Sequence, residues 1–137
     1  MKKVLDFMPV ETPSGTVYRP IIVVRLEHET RVRNFEFLLD SGADYSLLSK
    51  ECAEELGMDF DTGKKREVKG ISHSAIHCVE KKVSMTVPGF DAPFESMVLV
   101  SRELRLLHNL LGRDNFFIKY RIGLDQKEKK LVLDDRK

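Results

Sequence analysis

One carboxylate in the sequence has a setting that suggests chemistry. The apolar segment Phe35–Leu39 runs directly into Asp40, Ser41 and Gly42. A strand rich in Phe and Leu belongs in a core, and a carboxylate at its end is costly to bury unless it is paired, hydrogen-bonded or chemically active. Gly42 allows a tight turn where a side chain would obstruct the backbone. The pattern indicates a catalytic carboxylate held by a strand, and the alternative is an ordinary turn or N-cap residue.

The composition indicates one ordinary globular domain. The chain has 137 residues, is 42% hydrophobic and 33% charged, and carries a net charge of +1. That balance gives no reason to expect nucleic acid or a membrane surface as a partner. Two cysteines, Cys52 and Cys78, do not make a disulfide framework, and Cys52 is expected to pack rather than react. With no signal peptide in the sequence, we expect a cytoplasmic protein with both thiols reduced.

Strands are the elements expected to position Asp40. The β-branched segment Tyr18–Leu26 and the segment Arg31–Leu39 read as two strands of a hairpin. A short helix is expected over Lys50–Leu56, with Ser49 as its N-cap and Gly57 just past its end.

The second half of the chain is also predicted to be rich in strands. Glu80–Val87 alternates apolar and polar residues as a half-buried strand does, and Pro93–Val100 is another strand. A short amphipathic helix is expected over Asn115–Tyr120. Arg121–Asp125 and Leu131–Leu133 would form a terminal hairpin. Many short strands with two short helices predict a mostly-β domain.

Two motifs together resemble the retropepsin-like, single-domain aspartic proteases. In that family two apolar residues precede Asp-Thr/Ser-Gly-Ala, and a later motif has two apolar residues followed by Gly and often Arg. The matching stretches are Leu38-Leu39-Asp40-Ser41-Gly42-Ala43-Asp44 and Leu110-Leu111-Gly112-Arg113. The resemblance extends over about residues 16–125, and two motifs in the right order are far more specific than one Asp-Ser-Gly alone.

The resemblance implies a mostly-β, closed barrel-like retropepsin (acid protease) fold with one or two short helices and a flap over the site. It also implies a homodimer that takes an extended peptide or protein substrate and needs no cofactor. Residues 16–137 would form the single domain, and residues 1–15 an N-terminal strand or arm. Chemistry supports the dimer independently, because peptide hydrolysis by carboxylates needs two of them and this chain offers one convincing turn.

The resemblance assigns roles within the first motif. Asp40 would be the catalytic carboxylate, paired with Asp40 of a second copy. Ser41 would direct its hydroxyl across the dimer axis, and Gly42 would permit close approach of substrate or of the second turn. Ala43 offers no hydroxyl to the carboxylates, which favours activity at mildly acidic to near-neutral pH.

The second motif and the flap are assigned in the same way. Leu110, Leu111 and Gly112 would pack against the active-site turn. Asp44 and Arg113 would form an ion pair that braces the site, a task suited to the planar guanidinium fork. The flap tip, which would contact substrate, is expected at three residues: Gly70, Ile71 and Ser72.

Two further patterns are interpreted as non-catalytic. Asp61-Thr62-Gly63 spells the family's commonest catalytic triplet, but no apolar strand precedes it and lysines follow it. We interpret it as a surface turn of the Asx type. His73, His77 and Cys78 suggest metal ligands, but in a strand Cys78 points away from the two histidines and no further ligand is evident. No metal site is therefore predicted.

Two functions remain compatible with the sequence. The first is an aspartic endopeptidase that activates water with a pair of Asp40 carboxylates at a homodimer axis. The second is a peptide-binding or structural module that keeps the fold without cleaving peptides, since fold alone does not guarantee function. The complete first and second motifs favour the endopeptidase.

Overall fold

The computed structural model describes residues 1–69 and 74–137, most of which lie in strands. The only α-helix in this part of the chain is α1 (Lys50–Glu55), and a π-helical turn spans Arg113–Phe117. The strands are β1 (Lys2–Asp6), β2 (Met8–Thr12), β3 (Gly15–Arg19), β4 (Ile21–His28), β5 (Arg31–Leu39), β6 (Lys65–Lys69), β7 (Ala75–Thr86), β8 (Phe94–Val100), β9 (Asn109–Leu111), β10 (Arg121–Asp125) and β11 (Lys130–Asp134).

The largest sheet has the order β6-β7-β4-β5-β9, and β8 also pairs with β7. The predicted hairpin is confirmed: β4 and β5 pair antiparallel from Ile21 opposite Leu38 to His28 opposite Arg31. The first strand begins at Ile21 rather than at Tyr18. Pro20 separates β3 from β4, because proline has no N–H to offer to a ladder.

A parallel pairing brings the two sequence motifs together. Leu38 lies opposite Leu110 and Leu39 lies opposite Leu111, so β9 runs alongside the end of β5. Phe37 and Leu111 are completely buried. Burying large apolar side chains contributes about 1.5–3 kcal/mol each. The strand that ends at Asp40 is therefore anchored in the core on the side next to the second motif.

The helix α1 has the termini that the sequence predicts. The Ser49 side chain accepts a hydrogen bond from the Cys52 N–H, and Gly57 follows the helix with a φ of 71°. Glycine adopts this left-handed conformation without the strain that a Cβ would cause. No helix in residues 1–69 or 74–137 has the length and apolar character needed to cross a bilayer.

The second predicted helix differs from its expected form. Residues Arg113–Phe117 form a π-helical turn that starts two residues before the predicted Asn115. The Gly112 carbonyl accepts hydrogen bonds from the N–H groups of both Phe116 and Phe117, at 3.0 and 3.2 Å. The carbonyl of the glycine in the second motif therefore starts the turn, so the helical segment begins before the predicted amphipathic stretch.

The chain termini form a second, three-stranded sheet with the order β1-β11-β10. The predicted terminal hairpin is confirmed as β10 and β11. Its inner face places Leu131 and Leu133, both fully buried, in the main core. Residues 1–15 contribute β1 to this sheet and β2 to a hairpin with β3, and a domain boundary near residue 15 stays a prediction.

Candidate active site

Asp40 is held at the end of β5 by two backbone contacts. The Asp40 N–H donates to the Leu111 carbonyl at 3.1 Å, and the Leu39 N–H donates to the Pro20 carbonyl at 3.0 Å. The Asp40 side chain is partly buried, and its Oδ1 accepts a hydrogen bond from the Gly42 N–H at 2.9 Å. Because the Leu111 and Pro20 carbonyls both accept hydrogen bonds from this part of the backbone, the sheet fixes the position of the Asp40 carboxylate.

The turn after Asp40 is tight. The Ala43 N–H donates to the Asp40 carbonyl at 3.1 Å. A Cβ on Gly42 would lie 3.2 Å from Asp40 Oδ1, closer than most real contacts of this kind. Ser41 and Gly42 are exposed, and Ala43 is half-buried. Asp40, Ser41 and Gly42 are therefore accessible to a molecule that binds at this turn.

The second motif supports this turn from behind. The Arg113 N–H donates to the Ala43 carbonyl at 2.9 Å, and the Asp114 N–H donates to the Asp44 carbonyl at 2.8 Å. Gly112 is buried against the backbone of Tyr45: a Cβ there would lie 2.5 Å from the Tyr45 carbonyl oxygen and 2.8 Å from its Cα. Only glycine fits at this crossing without a backbone shift.

The predicted bracing pair of Asp44 and Arg113 stays a prediction. Among the ion pairs within residues 1–69 and 74–137, none joins these two exposed side chains. The backbone hydrogen bonds described above join the two segments instead. An exposed ion pair within one chain gains little over hydration of its two charges.

Two buried polar side chains support the site and were not predicted. Ser46 is fully buried, and its Oγ accepts a hydrogen bond from the Gly112 N–H at 3.0 Å. The Ser46 N–H donates to Asn115 Oδ1 at 2.6 Å. The sequence signal was the position of Ser46 just before the apolar pair Leu47 and Leu48. A polar side chain in a buried segment needs a hydrogen-bond partner, so a buried hydrogen bond could have been predicted there.

Asn109 performs a similar task at the start of β9. Its Oδ1 accepts from the Ser49 N–H at 2.8 Å, and its Nδ2 donates to the Glu36 carbonyl at 3.0 Å. The side chain thus connects the N-cap of α1 to β5. Asn109 is also buried, so its amide fixes how the second motif enters the sheet.

Arg19 is a third residue that the sequence analysis missed. Arg19 is the last residue of β3, where it lies opposite Met8, and it directly precedes Pro20, whose carbonyl accepts from the Leu39 N–H. The Arg19 Nε is buried and has no hydrogen-bond partner within the described residues. A buried guanidinium nitrogen without a hydrogen-bond partner costs free energy.

An apolar cluster lies beside the turn. It consists of Leu47, Cys78, Leu99 and Leu104 with partly buried neighbours Tyr45, Val68, Ile76, Leu106 and Leu110. Backbone hydrogen bonds of 2.9 Å in both directions join Leu47 to Leu110. Burial raises the pKa of the Cys78 thiol to about 11, which keeps it protonated and unreactive at neutral pH.

The proposed flap tip, Gly70, Ile71 and Ser72, lies outside the described residues. The strands on either side of it, β6 and β7, pair antiparallel as far as Lys69 opposite Ala75. At the base of this hairpin the Arg66 Nε is 2.5 Å from Glu80 Oε1. The Arg66 guanidinium also lies 5.5 Å from the centre of the Tyr45 ring, so the hairpin is tied to the chain just after the Asp40 turn.

The Asp61-Thr62-Gly63 triplet is an exposed surface turn, as predicted. The carboxylate that organises it, however, is Asp59, whose Oδ1 accepts from the Asp61 and Thr62 N–H groups at 2.9 and 2.7 Å. These bonds and the Thr62 hydroxyl hold the pKa of Asp59 well below its usual range. Asp61 instead faces Arg102 at 2.8 Å, and no β-strand leads into it.

Metal binding finds no support in the part of the chain that the structure describes. No group of three or more His, Cys, Asp or Glu side chains in that part could hold a metal ion. His77 lies 3.6 Å from Glu67, both exposed, and His73 falls outside the described residues.

A strand-borne Asp-Ser-Gly turn that is supported by a parallel Leu-Leu-Gly strand defines a retropepsin-like aspartic protease fold. The sequence profile of the family described as gag-polyprotein putative aspartyl protease matches residues 28–116, more than half of the chain. The chain belongs to this family of aspartic proteases, as the two motifs predict.

Solved structures show the same fold. A retropepsin-like aspartic protease from Rickettsia conorii is 18% identical, with a TM-score of 0.55 over 97% of this chain and 92% of that chain. EIAV protease, solved in complex with the inhibitor HBY-793, is 24% identical, with a TM-score of 0.52 over 70% of this chain and 83% of that chain. Comparison with curated protein sequences finds no match.

Proposed function

We propose that this protein is an aspartic endopeptidase that works as a homodimer, with one Asp40 carboxylate from each copy. One observation carries the proposal: Asp40 sits on a turn that β9 and the residues after it clamp through Leu111, Ala43 and Asp44. A carboxylate fixed in this way can be aimed at a reacting group, which is what catalysis by positioning requires. The family and the fold support the same reaction class.

The chemistry follows from two carboxylates that share one proton. The ionised Asp40 takes a proton from a water molecule lying between the pair, and the water oxygen attacks the peptide carbonyl carbon. The protonated Asp40 of the second copy donates to the carbonyl oxygen. A proton then passes to the departing amine as the C–N bond breaks. The proposed reaction needs no cofactor.

Unsatisfied groups in the single chain support the homodimer. The Arg19 Nε is buried without a partner, while the exposed Asp44 and Arg113 side chains make no ion pair within the described residues. A second copy facing the turn would bring its own Asp44 carboxylate and Arg113 guanidinium toward these groups. A two-fold axis near Asp40 would satisfy both copies equally.

The substrate in this proposal is an extended peptide that lies between the turn and the β6–β7 hairpin. An extended chain can add backbone hydrogen bonds like a further strand. The apolar cluster around Leu47, Ile76 and Leu110 favours apolar side chains near the scissile bond. Two free cysteines fit a reducing compartment, so a cytoplasmic location belongs to the proposal.

The test compares the wild type with two matched variants on an unstructured peptide library at about pH 4–8, the range expected for a shared-proton pair. Asp40→Asn should abolish cleavage. Asp61→Asn removes the carboxylate of the other Asp-x-Gly triplet and should leave cleavage intact. A wild type that cuts nothing, or an Asp40→Asn variant that cuts as well as the wild type, refutes the enzyme proposal.

The dimer is tested separately by measuring mass and activity together on dilution. Activity per chain should fall as dimers dissociate. Mixing the wild type with excess Asp40→Asn should also lower the activity, because mixed dimers have only one Asp40 carboxylate. A monomer that cleaves at full rate contradicts the shared site.

A further inference from the structure

The β6–β7 hairpin carries one charged side chain on the face that borders the apolar cluster. On β6, Val68 packs against that cluster, and Arg66 lies two residues earlier, on the same face of the strand. Their partners across the hairpin are Ile76 and Cys78, which belong to the same cluster. Arg66 therefore continues this face by one step, about 7 Å along the strand.

Two contacts hold the Arg66 guanidinium in place. Its Nε is 2.5 Å from Oε1 of Glu80, whose side chain is only 9% exposed. Its central carbon lies 5.5 Å from the centre of the Tyr45 ring, a cation–π contact. A long side chain that is already held in this way loses less conformational entropy when it binds a ligand.

The rest of the guanidinium is available for binding. The Arg66 side chain is 34% exposed, and within residues 1–69 and 74–137 its two terminal nitrogens, Nη1 and Nη2, have no hydrogen-bond partner. Glu80 accepts from Nε only. Adjacent N–H donors of a guanidinium match the two oxygens of a carboxylate, so the group that fits this position is a carboxylate.

The hairpin around Arg66 also has an excess of positive charge. Residues 64–69 and 75–82 carry six lysine and arginine side chains and two glutamates, whereas the whole chain carries 23 basic and 22 acidic residues. Asp59 pairs with Lys81, and the positive excess remains. Such a field attracts acidic ligands and repels basic ones.

We propose that Arg66 selects peptide substrates that carry an Asp or Glu side chain two residues away from an apolar residue bound near Val68. The inference rests on the proposed function, in which an extended peptide lies between the Asp40 turn and the β6–β7 hairpin. Side chains two residues apart in an extended peptide point the same way and are about 7 Å apart, which matches the spacing of Val68 and Arg66. Each copy in the homodimer supplies one Arg66, so acidic side chains on both sides of the scissile bond bind best.

Peptides that differ at one kind of position test the inference. Each peptide has blocked ends, so that only side chains supply carboxylates, and an apolar centre with Glu, Gln or Lys placed two residues outside it. The wild type should cleave the Glu peptide with a kcat/KM at least about tenfold above that of the Gln peptide. The Lys peptide should be cleaved more slowly still, and added salt should weaken the preference.

Paired substitutions test whether Arg66 is responsible. Arg66→Gln with Glu80→Gln removes both charges without leaving the Glu80 carboxylate buried alone, and should cleave the Glu and Gln peptides within about twofold of each other. Arg66→Glu with Glu80→Gln should prefer the Lys peptide, a reversal that partial unfolding cannot produce. Lys50→Gln with Glu54→Gln neutralises an exposed ion pair on α1 and should keep the preference of the wild type.

Peptide binding, measured separately from cleavage, distinguishes failure of this inference from failure of the proposed function. Fluorescence anisotropy of labelled peptides is measured with the Asp40→Asn variant, with and without the substitutions at Arg66 and Glu80. Preferential binding of the Glu peptide that is lost in Arg66→Gln with Glu80→Gln supports the inference, even if the wild type cleaves nothing and the endopeptidase proposal fails. Equal or absent binding of the Glu and Gln peptides, or a preference that persists after both substitutions, overturns the role of Arg66.

Discussion

Replacing Gly112 by alanine tests whether the second motif positions the Asp40 turn. The added Cβ would lie 2.5 Å from the Tyr45 carbonyl oxygen and 2.8 Å from its Cα. The obstacle is backbone, so no side chain can rotate out of the way. Either the Tyr45 segment or the Gly112 segment has to move.

The expected cost has two parts. Overpacking of a rigid site costs about 1–3 kcal/mol, and the buried hydrogen bond from the Gly112 N–H to Ser46 Oγ, once strained, costs about 1 kcal/mol more. The free energy of unfolding should fall by about 2–4 kcal/mol, which lowers the melting temperature by about 6–15 °C in a domain of this size. Because Asp40 and Ala43 are bonded to the residues on either side of Gly112, kcat should fall at least tenfold.

Gly123→Ala is the matched control. A Cβ at Gly123 would meet Val132 Cβ at 3.6 Å, an ordinary contact, so this variant should be neutral or up to about 1 kcal/mol more stable. Urea unfolding at one fixed protein concentration measures both variants, since dimerisation makes stability concentration-dependent. If Gly112→Ala unfolds within about 0.5 kcal/mol of the wild type, the close approach to Tyr45 does not constrain the site and the reasoning is wrong.

Two further predictions concern Ser46 and Asp59. Ser46→Ala leaves the buried Gly112 N–H without its acceptor and should cost about 1–3 kcal/mol in urea unfolding; Ser14→Ala, at an exposed position, should change little. Hydrogen bonds lower the pKa of Asp59 in the folded state from 3.8. The ionised carboxylate therefore makes its full contribution to the free energy of unfolding above pH 3.8, and this contribution is lost as the pH falls toward the pKa of the folded state. Asp59→Asn should therefore show a smaller loss of melting temperature than the wild type when the pH is lowered from 5 to 2, and equal losses would contradict the role of Asp59.

The fold and the geometry of the Asp40 turn were predictable because they depend on local patterns. The apolar strand Arg31–Leu39, the turn after it and the hairpin with the preceding strand can all be deduced from neighbouring residues. The helix cap at Ser49 and the glycine at position 57 follow rules of the same local kind. Each of these features is decided within a few residues of sequence.

What the sequence could not reveal depends on contacts between distant segments. Ser46 lies next to Gly112 only after β9 has entered the sheet beside β5. The start of the π-helical turn at Arg113 is decided by which N–H groups reach the Gly112 carbonyl, and hydrophobic periodicity does not encode that choice. The Asp44–Arg113 pair stays a prediction, because a resemblance supplies residue types and not their surroundings.

The unpaired groups around Asp40 bear on how catalysis and assembly are connected. Arg19 Nε is buried without a partner, and leaving such a donor unsatisfied costs about 1–3 kcal/mol. If dimerisation gives the Arg19 Nε a hydrogen-bond partner, the dimer gains this free energy relative to two separate chains. Under the proposed function, the two Asp40 carboxylates would then be brought together by the same event that relieves the unsatisfied donor. An isolated chain would hold Asp40 in place but would have neither a second carboxylate nor a relaxed Arg19, so activity and stability should rise together with protein concentration.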